Sequence, residues 1–189
     1  YASYTGDGAS GLYIWGAQLE QGSFPTSYIP TTSATVARQA DVLKIPTGSW
    51  YNTSQGTMFV HVYDARPTGF GIWASLGTTS ITDRCQMYSN GATMQMQNYS
   101  GGVAQVVTAG GSRVYGANKA AYALRDANFA YVSNGGTVGT TSTGTFGTKT
   151  LLVLGRGADY TNDMINDHVL KFKYYPARVP NTQLQLLTQ

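Results

Sequence analysis

The chain has 189 residues, of which 42% are hydrophobic and 11% charged, with a net charge of +3, 23 Gly, 14 Tyr and a single Cys. That is enough apolar material for a sizeable core, while one cysteine excludes an internal disulfide framework and leaves folding in a reducing compartment open. The 12 cations are spread without a Lys/Arg cluster, which argues against a nucleic-acid-binding protein, and no apolar run approaches the ~18 residues of a membrane-spanning helix.

Glu20 is the only Glu, so helix formers are scarce, whereas Thr, Val, Tyr and Gly favour strands joined by tight turns. Along the chain, GLYIWGA (11–17) is a short apolar run expected as a strand. LEQGSFPTSYIP leaves it through Gly22, Pro25 and Pro30, and TTSATVARQADV is a polar connector without a period of its own. GTMFVHVYDA (56–65) alternates, with Met58, Val60 and Val62 on one face and Phe59, His61 and Tyr63 on the other. GFGIWASLG (69–77) predicts a strand with Trp73 in the core. CQMYSNGATMQMQNYSGG (85–102) predicts two strands about an Asn90-Gly91 turn, since both central residues of a type I′ turn need positive φ. Another strand is expected over 103–111, two more with a hairpin at Asn134-Gly135 over 118–141, a buried one over 150–156 and an alternating one over 166–176. The tail, 180–189, is the one helix candidate. Many short strands with turn signals every 8–12 residues or so predict an antiparallel β-sandwich or jelly roll.

Two stretches carry a resemblance. GLYIWGAQLEQGSFPTSYIPTT (11–32) resembles a segment common in bacteriophage structural proteins, where it is the closing strand and exit of a β-sandwich module. There it is usually followed by a laminin-G-like, concanavalin A-like jelly roll. NKAAYALRDANFAYVSNGGTVGTT, LLVLGR and INDHVLKFKYYPARVPNTQLQLLTQ resemble the far end of that jelly roll: strand, Asn-Gly hairpin, strand ending in Gly, strand ending in Tyr-Tyr-Pro-x-Arg, terminal helix. The resemblance implies an exit segment over 1–30, a linker over 31–40 and a jelly roll over 41–189, forming either the C-terminal part of a longer virion protein or one whose N-terminal strand pairs with something else. It departs at Pro180 and Gln183, where the family often has a Ser or Thr cap and a Glu, and at Asp167-His168, where it often has Gly. The implied role is that of a non-catalytic tail-fibre, tail or capsid-decoration module at the virion surface, made in the host cytoplasm. It would contact other virion proteins and copies of itself, with a trimer expected, and serve assembly and host attachment.

Catalysis finds little support in the residues. A retaining glycosidase needs two carboxylates about 5 Å apart on one face, and with one Glu no Glu pair exists. Asp159, Asp163 and Asp167, with Asn162 and Asn166, supply hard oxygens for a Ca²⁺ ion in a loop, although Asx residues also simply form turns. His61 and His168 are far apart in sequence and are expected on outer strand faces, and Cys85 is expected as a buried hydrophobe. The positive case is carbohydrate binding, in which sugars stack on exposed rings and hydrogen-bond to amides. Trp50, Tyr51, Tyr88, Tyr99 and Tyr160 are candidates, with Asn90, Gln97 and Asn98 nearby, each set against the alternative of a core or half-buried aromatic. A dedicated glycan-binding module is thus the alternative to an architectural role, and a depolymerase the weaker third.

Overall fold

The computed structural model describes residues 5–20, 25–37, 42–64, 69–158, 165 and 168–189. The chain divides into two compact units, Tyr1–Asp41 and Val42–Gln189. In the first, the described residues carry no strand or helix. The run expected as a strand is not one within this chain: Leu12, Tyr13, Ile14 and Trp15 are at least 84% exposed. An extended segment becomes a strand only when a neighbour completes its hydrogen-bond ladder. Local contacts hold this unit instead: Trp15 packs on Tyr28 at 5.1 Å between ring centroids, Glu20 accepts from the Thr26 N–H and hydroxyl, and Gln18 accepts from Ile29 N–H.

The second unit contains eleven strands among its described residues: β1 (Leu43–Pro46), β2 (Gln55–Asp64), β3 (Phe70–Gly77), β4 (Arg84–Asn90), β5 (Thr93–Ser100), β6 (Val103–Ser112), β7 (Gly116–Arg125), β8 (Phe129–Ser133), β9 (Gly139–Thr141), β10 (Leu151–Leu154) and β11 (His168–Tyr175). One helix, α1 (Asn181–Leu187), follows. Every pairing is antiparallel, in a six-stranded sheet ordered β1-β10-β3-β4-β5-β6 and a five-stranded sheet ordered β11-β2-β7-β8-β9. The fold is an all-β jelly-roll sandwich with a short C-terminal helix.

Period-two alternation sets the layers. Met58, Val60 and Val62 of β2, with Tyr122 and Leu124 of β7, meet Trp73 and Leu76 of β3, Cys85 and Met87 of β4, and Met94 and Met96 of β5 in one core between the sheets. Burial pushes the Cys85 thiol up to about 12, so it acts as a small hydrophobe. The other face of β2, β7 and β8 (Phe59, Ala121, Ala123, Ala130 and Val132) is covered by Leu184 of α1. Pro180 starts that helix without a side-chain cap, as its residue type requires.

Two local expectations change. The β4–β5 loop is Gly91-Ala92, one residue later than Asn90-Gly91: Asn90 pairs with Thr93, and Gly91 alone in this turn has positive φ, at 59°. A Gly at the first central position suits the type II′ hairpin, which asks nothing unusual of the second. The Asn134-Gly135 turn does place both residues at positive φ, 46° and 69°. β1 was missed because Lys-Ile-Pro offers neither length nor alternation; it lies on a sheet edge, where a proline is tolerated.

One buried ion pair closes an end of the sandwich. Asp64, at the end of β2, faces Arg113, just after β6, in a two-pronged contact, and both side chains are almost wholly buried. The guanidinium also donates to the carbonyls of Gly69 (3.3 Å) and Gly91 (3.1 Å), tying the start of β3 and the β4–β5 turn to the opposite sheet. Arg113→Ala leaves the Asp64 carboxylate in the interior without its guanidinium; the expected cost is about 3–5 kcal/mol, read from urea unfolding. The core tyrosines add an alkaline limit. Burial raises the pKa of Tyr51, Tyr122 and Tyr174, so the folded chain holds protons that the unfolded chain releases near pH ~10. Stability should therefore be fully present below about pH 10 and fall as pH rises beyond it, with tyrosinate absorbance appearing cooperatively with unfolding. The buried Tyr122 hydroxyl has no hydrogen-bond partner among the described residues, so Tyr122→Phe should leave neutral-pH stability unchanged or higher and soften the alkaline loss.

Candidate functional site

The inward phase of β4 and β5 fixes what points outward. With Cys85, Met87, Met94 and Met96 in the core, Arg84, Gln86, Tyr88, Gln95, Gln97 and Tyr99 occupy the opposite face of the six-stranded sheet. The register aligns them in rows. Ser75, Gln86, Gln97 and Val107 lie side by side across β3 to β6; Arg84 opposes Tyr99, and Tyr88 opposes Gln95.

The side chains engage one another. Gln97 donates to the Gln86 side-chain oxygen, the Tyr88 hydroxyl donates to Gln95 at 2.7 Å, and Gln95 donates to the Thr93 hydroxyl at 3.2 Å. The Arg84 guanidinium lies 4.0 Å from the centre of the Tyr99 ring. Phe70 backs Tyr88 at 5.3 Å between centroids. Burial raises the Tyr88 pKa, so the phenol stays neutral and can both donate and accept. Beneath the sheet, buried Lys149 donates to the main-chain carbonyls of Tyr99 (3.2 Å) and Phe146 (2.6 Å), fixing the backbone that carries Tyr99. Burial lowers the pKa of that lysine, with Cys85 and Asp83 opposing.

The face is graded. Ser75 and Gln86 are fully buried and Tyr88 nearly so, while Gln95, Gln97 and Tyr99 are half-exposed and Val107 is exposed. The segment leaving β10 contributes to the closed side: Ala158 N–H donates to the Ser75 hydroxyl at 3.3 Å, and a Cβ on Gly77 would stand 3.2 Å from the Ala158 methyl. The result is a strip of amides and aromatic rings that is preorganised by its own hydrogen bonds. An amide offers a donor and an acceptor side by side, which matches vicinal hydroxyls, and a tyrosine ring offers an apolar platform. No group of three His, Cys, Asp or Glu gathers as a metal site among the described residues.

The candidates from the sequence divide accordingly. Tyr88 and Tyr99 lie on this face, and Asn90 is exposed at its turn end. Asn98 does not: it pairs with Cys85 on the inward phase, is fully buried, and donates to the Thr145 carbonyl at 2.7 Å. Trp50 and Tyr51 are half-buried against the inter-sheet core, where Trp50 meets Tyr174 edge-on at 5.2 Å and Tyr51 meets Phe146 at 6.3 Å. Asp159, Tyr160, Asp163 and Asp167 lie outside the described residues, as does the proposed Ca²⁺ loop they would form. Gln86, Gln95, Arg84 and Ser75 were overlooked. The signal for the glutamines was present in CQMYSN and TMQMQNYS, where Met on one phase puts Gln and Tyr together on the other.

No protein-family model matches the chain, and no characterised protein matches its sequence. Solved structures do resemble it. CBM40 of the Ruminococcus gnavus IT-sialidase, bound to α2,3-sialyllactose, superposes with a TM-score of 0.61 at 14% identity, over 79% of this chain and 96% of that one. The chain shares the jelly-roll fold of this carbohydrate-binding module. Domain 4 of AbnA, a GH43 extracellular arabinanase from Geobacillus stearothermophilus in complex with arabinotriose, gives 0.59 at 13% identity, over 78% and 72% of the two chains. A leech intramolecular trans-sialidase gives 0.60 at 14% identity, over 72% of this chain but 23% of that one.

Removing the phenol tests whether this face is held as described. Tyr88→Phe deletes the bond to Gln95 and should cost about 0.5–1.5 kcal/mol of stability by chemical denaturation, with the fold retained.

Proposed function

We propose that this chain is a non-catalytic carbohydrate-binding module whose ligand lies on the outer face of the six-stranded sheet. The observation that carries the reading is the hydrogen-bonded strip of Gln86, Gln97, Tyr88 and Gln95 beside the Arg84–Tyr99 stack. The half-exposed Gln97, Gln95 and Tyr99 meet the sugar, and the buried Gln86 and Tyr88 hold them in place. Binding on a β-sandwich face needs no moving part, since the hydrogen-bonding groups are already oriented and little side-chain entropy is lost on contact. The likeness in fold to modules solved with sialyllactose and arabinotriose supports the reading.

We place the module at a bacteriophage virion surface, as a fibre, tail or decoration element attaching to host glycan. This placement rests on the resemblance of residues 11–32 and 118–189 to phage structural proteins, and with it goes the expectation of a homo-oligomer.

The test is a glycan array that includes sialylated and arabinose-containing oligosaccharides, followed by titration of the full chain with the best ligand. Gln97→Ala and Tyr99→Ala should each weaken binding about tenfold or more, equivalent to about 1.4 kcal/mol, with the β fold retained by circular dichroism. Absence of binding across the array, or binding undiminished in both variants, would overturn the assignment.

A further inference from the structure

The opposite side of the sandwich carries a different surface. On the outer face of the five-stranded sheet, the register sets Lys119 of β7, His61 of β2 and Lys171 of β11 in one row across three adjacent strands. Neighbouring strands lie about 4.8 Å apart, so this row spans roughly 10 Å. Lys173, two residues beyond Lys171, extends the same face opposite Phe59. Helix α1 covers Phe59, Ala121 and Ala123; in the basic row Lys171 and Lys173 are exposed, and Lys119 and His61 are half-exposed.

Carboxylates are missing from this face among the described residues. The three described in Val42–Gln189 are engaged elsewhere: Asp64 with Arg113, Asp83 with the Gly101 N–H, and Asp126 with the Phe146 N–H. Lys119 donates to the Gln189 main-chain oxygen, and among the described residues no ion pair holds Lys171 or Lys173. The His61 imidazole reports the resulting field: burial first, then Lys119 and Lys171, disfavour its proton.

We propose that this face is a second, independent binding surface, for an acidic polysaccharide. Its cations lie in one row across three paired strands, not on a helix that could enter a nucleic-acid groove. They are also few for a duplex, which carries a charge every ~1.7 Å. A polysaccharide with one acidic group per sugar or per pair of sugars presents charge at a spacing closer to that of the lysines. The surface lies on the far side of the sandwich from the amide strip, so a polymer chain could be held on one side while a neutral or terminal sugar is read on the other.

Heparin serves as the probe, by titration of the full chain from low to physiological salt. Binding should weaken with salt, and Lys171→Gln with Lys173→Gln should lower affinity about tenfold and reduce the slope of log affinity against log salt by about two, one per cation removed. Lys44→Gln, which removes an exposed charge from β1 of the other sheet, should retain full affinity, as should Gln97→Ala and Tyr99→Ala. The proposal is overturned if Lys44→Gln weakens heparin binding as much as Lys171→Gln, if the double variant binds like the parent, or if duplex DNA binds as tightly as heparin at equal salt.

Discussion

The inter-sheet core is the constraint from which the rest follows. Side chains on a strand alternate, and a shift of one residue would turn every core group outward, so burial of Cys85, Met87, Met94 and Met96 fixes the register of β4 and β5. That same register decides the proposed binding surface, because the residues not claimed by the core are Gln86, Tyr88, Gln95, Gln97 and Tyr99. The amide strip is therefore the other half of the packing solution: weakening the core phase of these strands would dissolve the site with it. Lys149 links the two directly, reaching through the interior to hold the Tyr99 backbone.

Each sheet presents a different outer surface, and the division follows from what covers it. On the five-stranded sheet, α1 packs over small and apolar positions, leaving a row of cations in the uncovered part. On the six-stranded sheet, the segment after β10 reaches Ser75 and Gly77, so a polar face becomes partly enclosed. Polar groups in such a place must find partners or cost free energy, and the glutamines and tyrosine find one another. A pre-paired strip of this kind exchanges hydrogen bonds with a ligand without first reorganising, which suits recognition of hydroxyl-rich molecules.

The buried Asp64–Arg113 pair works differently. It joins the end of β2 to the segment after β6 and reaches the β4–β5 turn through Gly91, so it fixes how one end of the two sheets meets. Desolvating two charges is expensive, and apolar packing there could be as stable. What the guanidinium adds is direction: its planar fork satisfies a buried carboxylate and reaches two carbonyls near the sheet ends.

Much of this was legible in the sequence, and the reasons are local. Alternation in 56–65, the Asn134-Gly135 pair and the Tyr-rich, Glu-poor composition determined the strand content, the fold class and several faces, because period and turn chemistry act over a few residues. What the tertiary structure decided was which polar residues share a surface. Asn98 and Gln97 are neighbours of equal chemical promise, yet one is sealed inside against Thr145 and the other opens beside Tyr99. Trp50 and Tyr51 look like sugar platforms in isolation but are drawn into packing with Tyr174 and Phe146. Lys119 and Lys171 are far apart in sequence and flank the same histidine in space. Composition shows scattered cations where strand pairing assembles a patch, because long-range pairing brings together residues that no local pattern connects.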